Sequence, residues 1–382
     1  MNKKILFYVQ HLLGIGHLKR ASIIGEMLSK KGLDVTIISG GSKVSNLNFG
    51  KATFIQLPPT KSQNSDFSIL LDEKGNKIDT TWKKKREKLI IDIFKKNKPE
   101  ILITEMFPFG RSQMNFELLP LIEEAKKNNS IIISSIRDIL ISDLKKTKIE
   151  RINFLLTKYY NYILVHGEER IYSIGKKLKL DKSNIKKLFY TGYICKKINK
   201  NNFNLYDNKE ILVSAGGGAV GKKIIINAIK TSSLLRHKNL TWRIIIGINE
   251  NNQNKEKYYK LAKEEGINVT LEPFSENFSN YLQNCLISVS QGGYNTMIEA
   301  VSFRVKSIII PFSEDVKSDQ IIRAKYFSYL NFITYMNENE LNPSNLKTSI
   351  VKLMEKNSIN SNLPNLNGAE NTCKFMAGII NE

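Results

Sequence analysis

Short runs of Ile, Leu and Val, separated by stretches of helical period, constrain this chain more than any other feature. They lie at Ile5–Val9, Val35–Ser39, Ile101–Thr104, Ile131–Ser135 and Tyr162–Val165. A second series follows at Ile211–Ala215, Trp242–Ile246, Val269–Leu271, Leu286–Ser290 and Lys306–Ile310. Near-continuous apolar runs of this length suit strands covered on both faces in a parallel sheet. Helical patterns such as Leu18–Lys30, Lys222–Leu235 and Ser318–Leu330 fall between them. Alternation of this kind predicts doubly wound α/β domains.

The series breaks at Lys196–Glu210, a polar, Asn-rich stretch without periodicity that reads as a linker. A chain of 382 residues accommodates two cores. The expected division is a first domain over 1–195, a linker over 196–208, a second domain over 209–365 and a final helix over 366–382. Each half opens the same way. The first has a strand, Gly14-Ile15-Gly16 and a helix; the second has a strand, Gly216-Gly217-Gly218 and a helix. The expected architecture is two Rossmann-like domains facing each other across a central cleft. Both glycine loops would then sit at carboxyl ends of strands, where open sheets bind ligands.

Composition narrows the class. A hydrophobic fraction of 41% and a charged fraction of 25% belong to a soluble globular protein. No apolar run approaches the roughly 18 residues of a membrane span. Lys3-Lys4 and the apolar run after it look like a signal segment only briefly. Gln10-His11 and the following glycines interrupt it, so it reads as a first buried strand. Cys195, Cys285 and Cys373 are scattered, which argues against a disulfide framework or zinc site and for the cytoplasm. The net charge of +22 has two readings. One is attraction to an anionic surface or a phosphate-bearing substrate; the other is lysine spread over solvated faces. Aromatic interleaving of the kind that reads single strands is absent, and nucleic acid is not an expected partner.

Several groups carry chemistry. His17 follows Gly16 at a helix start. A near-neutral imidazole there suits a general base, or else a helix cap or passive phosphate contact. His11 in the same turn and His166 after its strand are the alternatives. Gly216–Gly221 formally satisfies G-x-G-x-x-G, but the acidic residue that a dinucleotide fold wants about 20 residues on is missing. A diphosphate cradle of main-chain N–H groups, or a plain tight turn, remains. Gln291-Gly292-Gly293 opens another helix, which carries Glu299. A paired-glycine turn at a helix start suits diphosphate. Glu299 is suited to sugar hydroxyls or to pairing with Arg304 or Arg323. Asp319-Gln320 stands at a third helix start, as hydroxyl ligand or N-cap. No H-E-x-x-H, C-x-x-C, nucleophile elbow or GKS/GKT loop occurs, and no metal or bound cofactor is expected.

In these residues the chain resembles the GT-B glycosyltransferases. It is most similar to family 28, the branch of the peptidoglycan N-acetylglucosaminyltransferase. Within bacteria it resembles the predicted glycosyltransferases whose N-terminal half carries a phrase like Thr104-Glu-Met-Phe-Pro-Phe-Gly110. Pro273–Ala324 is the most specific stretch, Ile211–Gly221 supports it, and the first half matches in plan and at Gly14–His17. The resemblance implies the following roles. Gly216, Gly217, Gly218, Gly292 and Gly293 contact the diphosphate of a UDP-sugar, and Gly16 and Gln291 belong to the same donor site. Glu299 holds the ribose, the backbone at Phe274 and Ser275 borders the uracil, and Asp319 and Gln320 bind the donor sugar. His17 takes the place of the base. Glu105, Arg111, Arg137 and Asp138 lie on the acceptor side, with the aromatic Phe107 and Phe109. Gln291 stands where the family has arginine or serine, and Asp319-Gln320 replaces its two consecutive glutamines. The implied activity is an inverting, metal-independent transfer of a hexosyl group, N-acetylhexosaminyl by resemblance, to a hydroxyl of a glycan or lipid-linked acceptor. Arg137-Asp138 replaces the peptidoglycan enzyme's acceptor motif, so a lipid-linked muramyl peptide is not implied. The alternatives are a UDP-sugar 2-epimerase and an inactive UDP-sugar-binding protein. The basic stretch Trp82–Lys96 is read either as a peripheral contact with anionic membrane or as a helix packing Leu89, Ile90, Ile93 and Phe94 on the sheet.

Overall fold

A computed structural model describes residues 3–12, 14–44, 47–63, 69–140, 144–196, 209–216, 221–247, 250–312, 318–356 and 362–381. Two compact units emerge: residues 1–195 with 364–382, and residues 196–363.

The first unit is built on β1 (Lys4–Val9), β2 (Asp34–Ser39) and β3 (Thr53–Gln56), followed by a small hairpin of β4 (Lys61–Ser62) and β5 (Leu70–Leu71). It continues with β6 (Ile101–Glu105), β7 (Ile131–Arg137), β8 (Tyr162–His166) and β9 (Leu188–Tyr190). Its main sheet has the order β3-β2-β1-β6-β7-β8-β9, and every pairing in it is parallel. Ile5, Phe7, Ile101 and Ile103 line one face of the sheet and pack with Leu18, Ile24 and Leu28 of the Gly16–Lys30 helix. The helix Gly368–Asn381 belongs to this unit. Its Cys373, Met376 and Ile379 enter the same core, and Phe375 meets Tyr162 edge-on at 5.1 Å between centroids. Asn371 Nδ2 donates to Thr191 O at 2.8 Å, and Tyr193 N donates to Asn365 O at 2.7 Å.

The second unit holds β10 (Glu210–Ser214), β11 (Thr241–Ile245), β12 (Val269–Glu272), β13 (Ile287–Ser290), β14 (Ser307–Ile309) and β15 (Thr334–Tyr335). The order is β12-β11-β10-β13-β14-β15, again wholly parallel. Trp242, Ile244, Ile287, Val289 and Ile308 form its core with Ile225 and Ile229 of the Lys222–Leu234 helix. The fold class is therefore the one expected, a Rossmann-like parallel α/β domain in each unit.

The central strands fall where the apolar runs lie. β3, β9 and β15 do not announce themselves, because they stand at sheet edges and remain half-exposed. The Trp82–Lys96 stretch lies in a helix over Thr80–Asn97, capped by Asp79, whose side chain accepts from Trp82 N. Its inward residues are Arg86, Ile90 and Phe94, and Leu89 points outward. Burial thus follows an i, i+4, i+8 stripe that begins with an arginine. Arg86 sits inside because Glu117 meets its Nε at 2.8 Å and because Gln10 Oε1, Gly40 O and Pro58 O accept from its other nitrogens. A charge buried this deeply is tolerated only when fully paired.

Candidate functional site

In the first unit the chemistry gathers at the carboxyl ends of β1, β6, β7 and β8. The parallel register sets Glu105 beside Ser135, and Arg137 beside His166. His17 stands in the first turn of the Gly16–Lys30 helix, and its side chain is 19% exposed. Its Nδ1 lies 3.0 Å from Glu105 Oε1. Arg20, one turn later on the same helix, donates to that oxygen as well and lies 3.1 Å from the imidazole nitrogen. Ser135 donates to the other oxygen, Oε2, at 2.7 Å.

Glu105 is fully buried. Burial works against its charge, but the Arg20 guanidinium and the His17 hydrogen bond outweigh it. The carboxyl is held well below the usual carboxylate range. An ionised carboxylate only accepts, so His17 Nδ1 carries the proton that faces it and the lone pair lies on Nε2. Burial, followed by the charge of Arg111, lowers the imidazole to about 3, against the pull of Glu105. His17 is therefore neutral at physiological pH, with an unprotonated Nε2.

Arg111 takes a left-handed backbone, φ 63°, and donates from Nε to Gln10 O at 2.6 Å. Burial brings its guanidinium down to about 10, with Glu105 opposing and Arg137 adding to the shift. Arg137 is half-buried and Asp138 buried at the end of β7. The Thr104–Gly110 phrase turns inward. Phe107 and Phe109 are core residues, and Phe107 O accepts from Thr104 Oγ1 at 3.1 Å and Ser134 Oγ at 2.8 Å. Glu105, read from sequence with the acceptor-side residues, faces His17 and Arg20. His11 is buried with Nε2 3.0 Å from Ser42 O, and burial lowers it to about 4. His166 is wholly inside the unit, which removes it as a surface alternative to His17. Arg20 escaped sequence reasoning. Its signal is a charged residue at i+3 from His17 on the same helix turn as Leu18 and Ala21.

In the second unit three strand ends align, with Ser214 opposite Ser290 and Ser290 opposite Ile309. After β10 the chain passes through Gly216 at φ +77°, where a Cβ would come within 2.9 Å of Gln291 Oε1. Gly217 and Gly218 lie outside the described residues. After β13, Gln291 N donates to Ser214 O at 3.3 Å. Gly292 follows at φ +86°, where a Cβ would meet Ile309 Cγ2 at 2.5 Å. Only glycine combines that backbone with that approach. Gly293 then caps the Tyr294–Ser302 helix, on which Glu299 is buried. Ser318 Oγ accepts from Ile321 N at 3.3 Å and caps the Asp319–Tyr329 helix. Asp319 Oδ2 accepts from Arg323 Nη2 at 3.0 Å, and the guanidinium lies 5.3 Å from the ring centre of Tyr294. Arg323 thereby ties two of the helix starts together. Gln320 is half-buried beside Asp319. Phe274, past the end of β12, is 52% exposed, and Ser275 Oγ accepts from Asn277 N at 3.2 Å.

Residues 211–374 match the model of the glycosyltransferase family 28 C-terminal domain. The chain is family 28-like and has the GT-B fold. A UDP-N-acetylglucosamine--N-acetylmuramyl-(pentapeptide) pyrophosphoryl-undecaprenol N-acetylglucosamine transferase of Pelagibacter ubique is 22% identical over 180 residues, 47% of either chain. The chain spans less than half the length of the curated relatives it matches first. Among solved structures, MurG of Acinetobacter baumannii aligns with a TM-score of 0.59 at 12% identity, covering 98% of this chain and 99% of its own. The UDP-GlcNAc 2-epimerase of Methanocaldococcus jannaschii aligns with a TM-score of 0.62 at 14%, covering 100% and 99%. At such identities the solved structures establish the fold alone.

The depressed groups set the acid response. A histidine free in the unfolded chain titrates near 6.5, while His17 and His166 do so at about 3 and His11 at about 4 in the fold. Between those values these histidines bind more protons in the unfolded chain, so their contribution to stability is complete above about 6.5 and falls as pH drops towards 4. Glu105, also depressed, adds a loss below the usual carboxylate range. Urea midpoints should decline from pH 7 to 4, and the ring signals of His11, His17 and His166 should stay still from about pH 8 to about pH 5.5. Movement of the His17 signal near pH 6.5 would contradict the assignment.

Proposed function

We propose that the protein is an inverting, metal-independent glycosyltransferase. It would move a hexosyl group, N-acetylhexosaminyl by its family resemblance, from a UDP-sugar to a hydroxyl of a glycan or lipid-linked acceptor. The observation that carries this reading is the family 28 C-terminal match laid over the Gly216 and Gln291–Gly293 turns. There, main-chain N–H groups and helix starts are suited to a diphosphate. The acceptor oxygen attacks the anomeric carbon as the bond to UDP breaks, through an oxocarbenium-like state. His17 Nε2 takes the acceptor proton, and Glu105 stabilises the imidazolium that forms. Charge on the leaving diphosphate is met by fixed dipoles. Glu299 is assigned to the ribose, Phe274 and Ser275 to the base, and Asp319 and Gln320 to the sugar. Arg111, Arg137 and Asp138 are assigned to the acceptor. His17→Ala should lower kcat by about 10²–10⁴-fold with UDP affinity nearly intact, and EDTA should leave the rate unchanged. Glu299→Ala should chiefly weaken nucleotide binding by calorimetry. Equal loss of turnover and affinity in the His17 variant would remove it from catalysis.

One observation favours a second reading: the fold of a UDP-GlcNAc 2-epimerase matches as well as that of a transferase. The two readings separate in a single tube. UDP-GlcNAc incubated without acceptor should remain unchanged by NMR, and appearance of its 2-epimer would replace the transferase assignment.

The work is assigned to the cytoplasmic face of the membrane. No helix among the described residues is long and apolar enough to cross a bilayer. The Thr80–Asn97 helix exposes Lys84, Lys85, Lys88, Lys95 and Lys96 beside Leu89, a surface suited to anionic lipid. The protein should float with phosphatidylglycerol liposomes at low salt and not with neutral ones; sedimentation with both would end this assignment.

A further inference from the structure

Glu105 is the end of a longer line of buried groups. Ser135 Oγ, which reaches Glu105 Oε2 at 2.7 Å, also lies 2.9 Å from His166 Nε2. His166 Nδ1 in turn lies 2.9 Å from Thr191 Oγ1. Glu105, Ser135, His166 and Thr191 are each at most 1% exposed, so bulk water does not substitute for any of them.

The directions of these bonds follow from proton counting. Ser135 has one hydroxyl proton, and an ionised carboxylate can only accept, so Ser135 gives it to Glu105. The serine oxygen then has to accept from the imidazole, which places the single proton of neutral His166 on Nε2. His166 Nδ1 is left as an acceptor, 2.9 Å from Thr191 Oγ1, a hydroxyl that also lies 2.8 Å from Gly192 O. The bonds from His166 to Ser135 and from Ser135 to Glu105 therefore both point at Glu105.

We propose that Ser135 and His166 are positioning residues. They form a one-way line of donors that holds Glu105 aligned, and through it fixes His17 as the Nδ1–H tautomer with its lone pair on Nε2. The catalytic consequence rests on the reading of His17 as the base; the tautomer itself does not. The alternatives open to an unaligned Glu105 show why the line matters. With Oε2 lacking a donor, the carboxylate can turn towards Arg20 alone. His17 Nδ1 then loses its acceptor, and Arg20, 3.1 Å away, becomes its donor instead. That places the proton on Nε2, the wrong nitrogen for a base. A hydroxyl between two buried groups is thus coupled to which nitrogen faces the acceptor.

The test reads the tautomer directly, by nitrogen-15 NMR of the histidine rings in the full-length protein. Wild type should show His17 as the Nδ1–H form and His166 as the Nε2–H form. Ser135→Ala should turn the His17 signals into a mixture. It should also lower kcat about tenfold or more with donor KM nearly unchanged. His166→Gln, which keeps an N–H donor at that place, should retain the wild-type His17 tautomer and most of kcat. An Nε2–H form of His17 in the wild type would overturn the proposal without any variant. So would wild-type turnover and tautomer in a folded Ser135→Ala. If Ser135→Ala does not fold, His166→Leu, which lacks the donor, takes its place with the same expectation. A wild type with the expected tautomers but no transfer to any acceptor would sink the transferase reading and leave the positioning line standing.

Discussion

One buried carboxylate organises the first unit. Glu105 has no solvent to carry its charge, so the fold has to supply every partner. Arg20 and His17 come from one helix, Ser135 from β7, and His166 and Thr191 from β8 and the turn after β9. These segments are distant in sequence and meet only if three parallel strands keep their register. A slip of one residue would point Ser135 to the opposite face of the sheet and strand the carboxylate. The local chemistry and the global topology therefore enforce each other.

The second unit solves a different problem with different means. Its sheet edge is built from serines, glycines and helix starts: Ser214, Ser290, Gly216, Gly292 and Gly293. An edge of that kind offers dipoles and close backbone approach. The first unit offers an imidazole with a directed lone pair. A transfer reaction needs both, a proton acceptor for the nucleophile and fixed positive dipoles for the leaving anion. The Arg86–Glu117 pair shows the same economy elsewhere in the first unit. Tyr8 Oη donates to the Glu117 carboxylate, and Gln10, which accepts from Arg86, also receives Arg111 on its carbonyl. A helix that looks merely basic thereby supports one wall of the histidine site.

Much of this was legible in the sequence, for physical reasons. Central strands covered on both faces must be apolar throughout, so β1, β6, β7, β10 and β13 stand out. The glycines before His17 and before Tyr294 mark turns that open helices. Edge strands such as β9 and β15 are only half-covered and carry no such signature. The partners of His17 were less visible because they are set by strand register. In the sequence Glu105 reads as an acceptor-side residue near a strand end, and Ser135 as the last residue of the Ile131–Ser135 run. Only the pairing of β6 with β7 brings the two together. Arg20 was the one partner within reach of pattern reading, since helical period alone places it one turn beyond His17.

The helix Gly368–Asn381 closes the core of the first unit although the whole second unit precedes it in the chain. Ile5, Leu18 and Leu28 come early in the chain, while Met376 and Ile379, which share their core, come after the whole second unit. The second unit, contiguous in sequence, has no such interruption. Order of manufacture and order of completion are therefore reversed: the half built first is the half finished last.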